Sequence, residues 1–391
     1  MPTSLLLAMA AALAINAAPP LGQAPAPPPA QPAAPAQAPA QAPAPPPAPT
    51  HDEHQGSARE YPSLKISGFG DINFARTEHV EGPRGFFEGQ LTLHMASELS
   101  ARTTFFGEIS FTPRVDAGTG SPAATGFNTE VERMMVRFDH SDQLKASVGR
   151  YHTPINYWNT AFHHGQWLQT TISRPEMIQF GGRVLPVHFV GGLVEGAIPA
   201  GGLNLNYKAG IGNGRGTVIS RGGDAGDVNG DLAWLVNGFV KPDRLFGLQA
   251  GGAFYDDRVR LSTGAEFDEQ IVSAHAVWQK ETPEIIFEYA GVRHRDRATG
   301  VVAWTPAFYV QAAYRLPFAD AMWKPYFRFE HIDVNASDLM FAGVPSLDAT
   351  TVGVRWDVAP LAAIKFEYRS WTRGSGTERN QGGYFQLCFT F

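Results

Sequence analysis

From residue 64 to its end the chain is a succession of segments in which apolar and polar side chains alternate with period two. In an extended strand that alternation sends successive side chains to opposite faces, one oily and one wet. Segment 90–99 sets Leu91, Leu93, Met95 and Leu99 against Gln90, Thr92, His94 and Glu98. Segment 350–358 sets Val352, Val354, Trp356 and Val358 against Thr351, Gly353, Arg355 and Asp357. Segment 363–370 sets Ile364, Phe366 and Tyr368 against Lys365, Glu367 and Arg369. Charges in mid-strand fit a face bathed in water, and they fit poorly in the core of the competing reading, a water-soluble β-sandwich.

The links between these segments fall into two classes that alternate. Links such as Ser141–Asp142, Glu281–Pro283 and Ala359–Pro360 are tight, whereas 113–126, 152–185, 213–230 and 333–348 are long and rich in Gly, Asp and Asn. Short turns at one end and long loops at the other are the mark of an outer-membrane barrel. The pattern predicts an all-β fold, a transmembrane antiparallel up-and-down β-barrel of about 16 strands over residues 64–391. No stretch reaches the ~20 apolar residues that a spanning helix needs.

Residues 1–18 read as a signal peptide, with a short apolar run from Leu5 to Ala14 and small residues at Ala17 and Ala18, although no Lys or Arg precedes the run. Residues 19–63 read as a periplasmic linker: from Pro19 to Thr50 the chain is almost entirely Pro, Ala and Gln, a composition that extends rather than packs. The balance of 31 basic to 37 acidic side chains gives no footprint for nucleic acid. A single cysteine, Cys388, excludes an internal disulfide.

The last residues place Phe385, Leu387, Phe389 and Phe391 on one face and finish on Phe. This resembles the C-terminal signature through which the barrel-assembly machinery recognises bacterial outer-membrane proteins. The opening strand Leu64-Lys-Ile-Ser-Gly-Phe-Gly-Asp71 and the segment Val148-Gly-Arg-Tyr-His-Thr-Pro-Ile155 look like Gram-negative porins of the broad phosphate-selective (porin O/P-like) superfamily. The resemblance implies an exported outer-membrane porin, surrounded by lipid, passing small hydrophilic solutes or ions, with a homotrimer as its common assembly. Phosphate-selective members carry a dense basic ladder in the pore, and this chain has no uninterrupted equivalent.

On the wet faces, the expected pore-lining residues are Arg102, Arg133, Lys145, Arg315, Arg328, Glu330, Arg355, Asp357, Lys365, Glu367 and Arg369. The wet faces also carry Arg137, Lys208 and Lys324 and the acidic Asp71, Glu98, Glu108, Asp139 and Glu288; rings of charged side chains set the sign of the ion that passes, and the slight excess of basic residues leans toward anions. The connection from His152 to Pro186 holds Tyr157, Trp158, Phe162, His163, His164, Trp167 and Arg174. It is too aromatic for disorder and is expected to fold into the lumen as a constriction, an external cap being the alternative. His163 and His164 hint at a metal, but adjacent residues rarely chelate one ion, and neither a metal nor a cofactor is expected. No nucleophile elbow, phosphate loop or zinc-protease motif appears, so an enzyme ranks behind a substrate-specific transporter or a surface-binding barrel as the alternative to a porin.

Overall fold

The computed structural model describes residues 61–391 apart from 79–81, 114–125, 163, 180–182 and 377. The expected signal peptide and nearly all of the linker lie outside the described residues. The strands in chain order are β1 (Lys65–Thr77), β2 (Arg84–Glu88), β3 (Leu91–Ser100), β4 (Thr103–Pro113), β5 (Phe127–Ser141), β6 (Leu144–His152), β7 (His188–Ile198), β8 (Leu205–Asn213) and β9 (Ala233–Val240). They continue as β10 (Leu248–Arg260), β11 (Glu266–Gln279), β12 (Glu284–Asp296), β13 (Val302–Ala313), β14 (Trp323–Ile332), β15 (Leu347–Ala359), β16 (Ala362–Arg373) and β17 (Asn380–Thr390). One short helix, α1 (Tyr157–Phe162), lies in the connection between β6 and β7.

From β3 to β17 each strand pairs antiparallel with the next in sequence, and β1 pairs with β17 from Phe69↔Thr390 to Thr77↔Gly382. On its other edge β1 pairs with both β2 and β3, which form one strand broken at Gly89–Gln90. The result is a closed sixteen-stranded antiparallel barrel. Closure matters because an open edge would leave backbone groups unpaired in lipid, at several kcal/mol each. A sheet that closes on itself also disposes of the sandwich.

The C-terminal residues seal the joint. Phe391 exchanges backbone hydrogen bonds with Gly68 at 2.9 and 3.1 Å. Its ring occupies the space beside Gly68, where a Cβ would come within 2.4 Å of it, and the Phe389 ring lies likewise on Gly70. The two glycines of the opening strand therefore make room on the outer face for the aromatic residues that end the chain.

The outer face is apolar through the middle of the strands: Ile72, Met134, Val148, Ile211, Phe287, Phe327 and Val352 are all exposed. Trp323 and Trp356 stack at 5.0 Å near the short-turn end, where aromatic girdles mark a membrane interface. Toward the other end, β10 and β11 run further than the period-two pattern, which predicts strands over 247–256 and 269–280, and a turn over 261–265 replaces the longer link between them. The reason is the outer face itself. Here Arg258, Asp268 and Arg297 pair across strands (Arg258–Asp268 3.7 Å, Arg297–Asp268 2.7 Å). The ladder thus continues beyond the apolar band, where an outward side chain no longer has to be oily.

Candidate pore and constriction loop

The connection between β6 and β7, residues 153–187, turns inward and packs against the wall formed by β9 to β16. Its entry is set by Gly149, whose φ of +141° and close approach to the Met134 carbonyl oxygen (2.1 Å from a Cβ placed there) exclude a side chain. Inside, Ile155, Tyr157, Trp158, Met177, Ile178 and Leu185 join wall residues such as Leu235, Tyr255, Ile271 and Tyr309 in one buried apolar cluster. Burying that much apolar surface inside a barrel holds the loop as firmly as a soluble core would.

Polar anchors fix its register. The backbone N–H groups of Tyr157 and Trp158, at the start of α1, donate to the Glu288 carboxyl oxygens at 2.6 and 2.9 Å, so an acceptor from β12 satisfies the open N–H groups of the helix start. Arg328 donates to the Thr171 hydroxyl (3.1 Å), the Ser173 carbonyl (2.8 Å) and the Ser173 hydroxyl (2.6 Å). Arg355 donates to the carbonyls of Trp167 (2.6 Å) and Gln169 (3.0 Å). Lys365 donates to those of Gln166 and Thr171. Glu367 accepts from the N–H groups of Ile172 (2.8 Å) and Ser173 (3.1 Å), and Glu330 accepts from that of Glu176. Within the loop, Arg174 stacks on Trp158 with its guanidinium 4.7 Å from the ring centroid.

These contacts correct the expected pore lining. Arg328 and Lys365 are 0% exposed, and Glu330, Glu367, Arg369 and Arg355 are buried as well. All six point inward as the strand parity requires, but the loop covers them: five meet its backbone and Arg369 meets the Glu176 carboxylate instead of water. Arg369 and Arg373 reach the loop's Glu176 at 3.2 and 2.7 Å. Of the rest, Arg133 and Lys145 are half-buried on the inner face, Arg102 is exposed in the β3–β4 turn, and Arg315 and Asp357 pair at the short-turn end. Tyr157, Trp158, His164 and Arg174 are buried, Phe162 and Trp167 half-buried, and His163 lies outside the described residues. Burial, with Glu284 and Glu288 close by, pushes the Tyr157 phenol up. Burial pushes the His164 imidazole down, against the pull of Glu132.

With the loop against one wall, the open space lies against the other. A cavity of about 650 Å³ is bounded by β1, β2, β4 to β7 and β17, the loop and the 214–232 connection. Among the described residues the charged side chains that face it are Asp71, Glu130, Glu132 and Asp224 against Arg150 and Arg221, while Glu88 borders it from the outer face opposite Ile72. Arg150 pairs with Glu130 (3.1 Å) and Asp224 (2.9 Å). The basic residues that suggested an anion preference are thus absent from this lining. Sequence reasoning named Asp71 as inward-facing but missed Glu130, Glu132, Arg150 and Asp224. The β-bulge that pairs Glu108 with Arg133 and Ile109 with Val131 leaves Glu132 as the extra residue and aims it inward; no local pattern announces a bulge.

The sequence matches no protein-family model and no curated protein. In fold, the chain is similar to an anion-selective porin from Comamonas acidovorans, with a TM-score of 0.61 at 14% identity, over 84% of this chain and 100% of that one. It is similar to the outer membrane channel DcaP of Acinetobacter baumannii, with a TM-score of 0.56 at 11% identity, over 84% and 97%. It is also similar to OmpF of Salmonella typhi, with a TM-score of 0.55 at 11% identity, over 84% and 97%. These likenesses show the fold: the chain is a porin-like, sixteen-stranded antiparallel β-barrel.

Proposed function

We propose that the chain is an outer-membrane porin of Gram-negative type, a water-filled channel for passive diffusion of small hydrophilic solutes, with a preference for cations. The observation that carries this reading is the cavity beside the inward-folded loop, which four carboxylates and two guanidiniums face among the described residues. Charge of one sign on a narrow lumen favours the opposite ion. The Comamonas neighbour is by name anion-selective; the lining here has the opposite balance, because the loop neutralises the basic wall. Residues 1–18 would direct export, lipid would surround the apolar belt, and the C-terminal strand would engage the assembly machinery. A homotrimer is the assembly we favour, and the similar OmpT of Vibrio cholerae has a trimer form. Membership in the phosphate-selective superfamily rests on the Gly149-Arg150-Tyr151 stretch that leads into the loop.

The test is planar-bilayer recording of refolded protein across a KCl gradient. A reversal potential of cation-selective sign is expected, shrinking as salt rises, since the Debye length falls from about 10 Å at 0.1 M to about 3 Å at 1 M. A reversal potential of anion-selective sign would overturn the selectivity, and the absence of channels at every salt would overturn the porin.

A further inference from the structure

Three histidines from separate stretches of the sequence meet where the loop leaves the wall. His152 ends β6, His188 begins β7 and the two are register partners; His164 comes from the loop. Their rings lie 5.6 Å (His152–His188) and 5.9 Å (His152–His164) apart between centroids. One ligand atom from each lies within 4.8 Å of the others, and all three residues are buried. The bulged Glu132 completes the group, with its Oε2 2.9 Å from His188 Nε2 and 3.3 Å from His164 Nε2.

We propose that His152, His164, His188 and Glu132 form a binding site for a divalent transition metal, Zn²⁺ in first place, which ties the loop to the barrel wall. Three imidazoles and a carboxylate are a nitrogen-rich, borderline-soft set that suits Zn²⁺ and disfavours Ca²⁺ or Mg²⁺, which want oxygen. Tetrahedral bonds of 2.0–2.1 Å put donor atoms about 3.4 Å apart, so modest side-chain rotations close the site.

The surroundings orient the ligands. His164 Nδ1 faces Gln90 Oε1 at 2.5 Å; as that oxygen only accepts, Nδ1 carries the proton, and a metal bound at Nε2 would take the place of the Nε2 proton now shared with Glu132. A second partner that fixes the tautomer in this way is typical of metal-bound histidines. His188 Nδ1 faces Arg150 at 3.1 Å. Binding through His188 Nε2 moves the imidazole proton to Nδ1 and turns Arg150 wholly to Glu130 and Asp224, with which it is already paired. Glu108 lies 3.8 Å from His152 and adds negative charge against Arg133. Glu132 and His188 line the cavity, which gives an ion a route in.

The site does not depend on the channel reading, so its test uses no current. Refolded full-length protein in detergent, stripped with EDTA, is titrated with Zn²⁺ by calorimetry and with Co²⁺ by visible absorption. One tightly held Zn²⁺ per chain is expected, with tetrahedral-type Co²⁺ bands, and at least a tenfold loss of affinity in His188→Ala and in His164→Ala. Each variant's fold is checked by its heat-modifiable migration. His164 lies outside the strand ladder, so its variant carries the test if His188→Ala fails to fold. Absence of stoichiometric binding to the wild type overturns the site. So does Zn²⁺ affinity that is unchanged in His164→Ala, which would place the metal elsewhere on the surface.

Discussion

Arg328 is a full charge with no access to water, held by Glu330 at 3.1 Å on its own strand and by the hydroxyl and carbonyl oxygens of Thr171 and Ser173 on the loop. Removing one partner of such a set strands the others, a loss of about 3–5 kcal/mol. Arg328→Ala should therefore loosen the loop while the outer ladder stays intact. Single-channel records should show larger and noisier openings; wild-type traces would mean that the loop is held without it. Lys365, read from sequence as a water-facing charge, belongs to the same scaffold, because it caps the carbonyls of Gln166 and Thr171. Its neighbour Phe366 faces the other way, packing on Phe385 at 5.4 Å between ring centroids. Phe366→Arg near mid-bilayer should cost about 2–4 kcal/mol, read as a lower urea midpoint for unfolding from lipid vesicles. An unchanged midpoint would show that this face does not meet lipid.

At the scale of the element, the loop over 153–187 combines an apolar cluster, a helix start capped by Glu288 and a row of carbonyls held by basic residues. Its aromatic residues were legible as a reason to fold inward. What it would cover was not, because strand parity says only that Arg328, Arg355 and Lys365 point into the lumen and cannot say what lies over them. Deleting residues 157–173 should raise single-channel conductance, since the vacated cross-section fills with water and the buried charges are rehydrated. The ladder needs none of these residues, so heat-modifiability should persist. Unchanged conductance in a folded deletion variant would exclude the loop as the constriction.

For the molecule as a whole, the decisive contact is closure between β1 and β17. Phe391 contributes two backbone hydrogen bonds to it and an aromatic ring seated on Gly68. Deleting Phe391 should reduce the yield of heat-modifiable barrel in the outer membrane, measured by membrane fractionation and gel shift. A yield equal to that of the full chain would remove the last residue from assembly.

The sequence by itself determined the barrel. Lipid on one side and water on the other impose a period-two code on every spanning strand, and that code is local. The strands and the faces they present follow from neighbours along the chain and from a repeated pattern. Only the tertiary structure decided the charge of the cavity lining and the histidine cluster. A charge on an inner face is wet or buried according to a loop that arrives from up to about two hundred residues away, as in the contact of Lys365 with Gln166. His152, His164 and His188 converge only because register pairs the ends of β6 and β7 beneath that loop. Such convergence depends on register, a bulge and the path of a long connection, none of which leaves a periodic trace in the sequence.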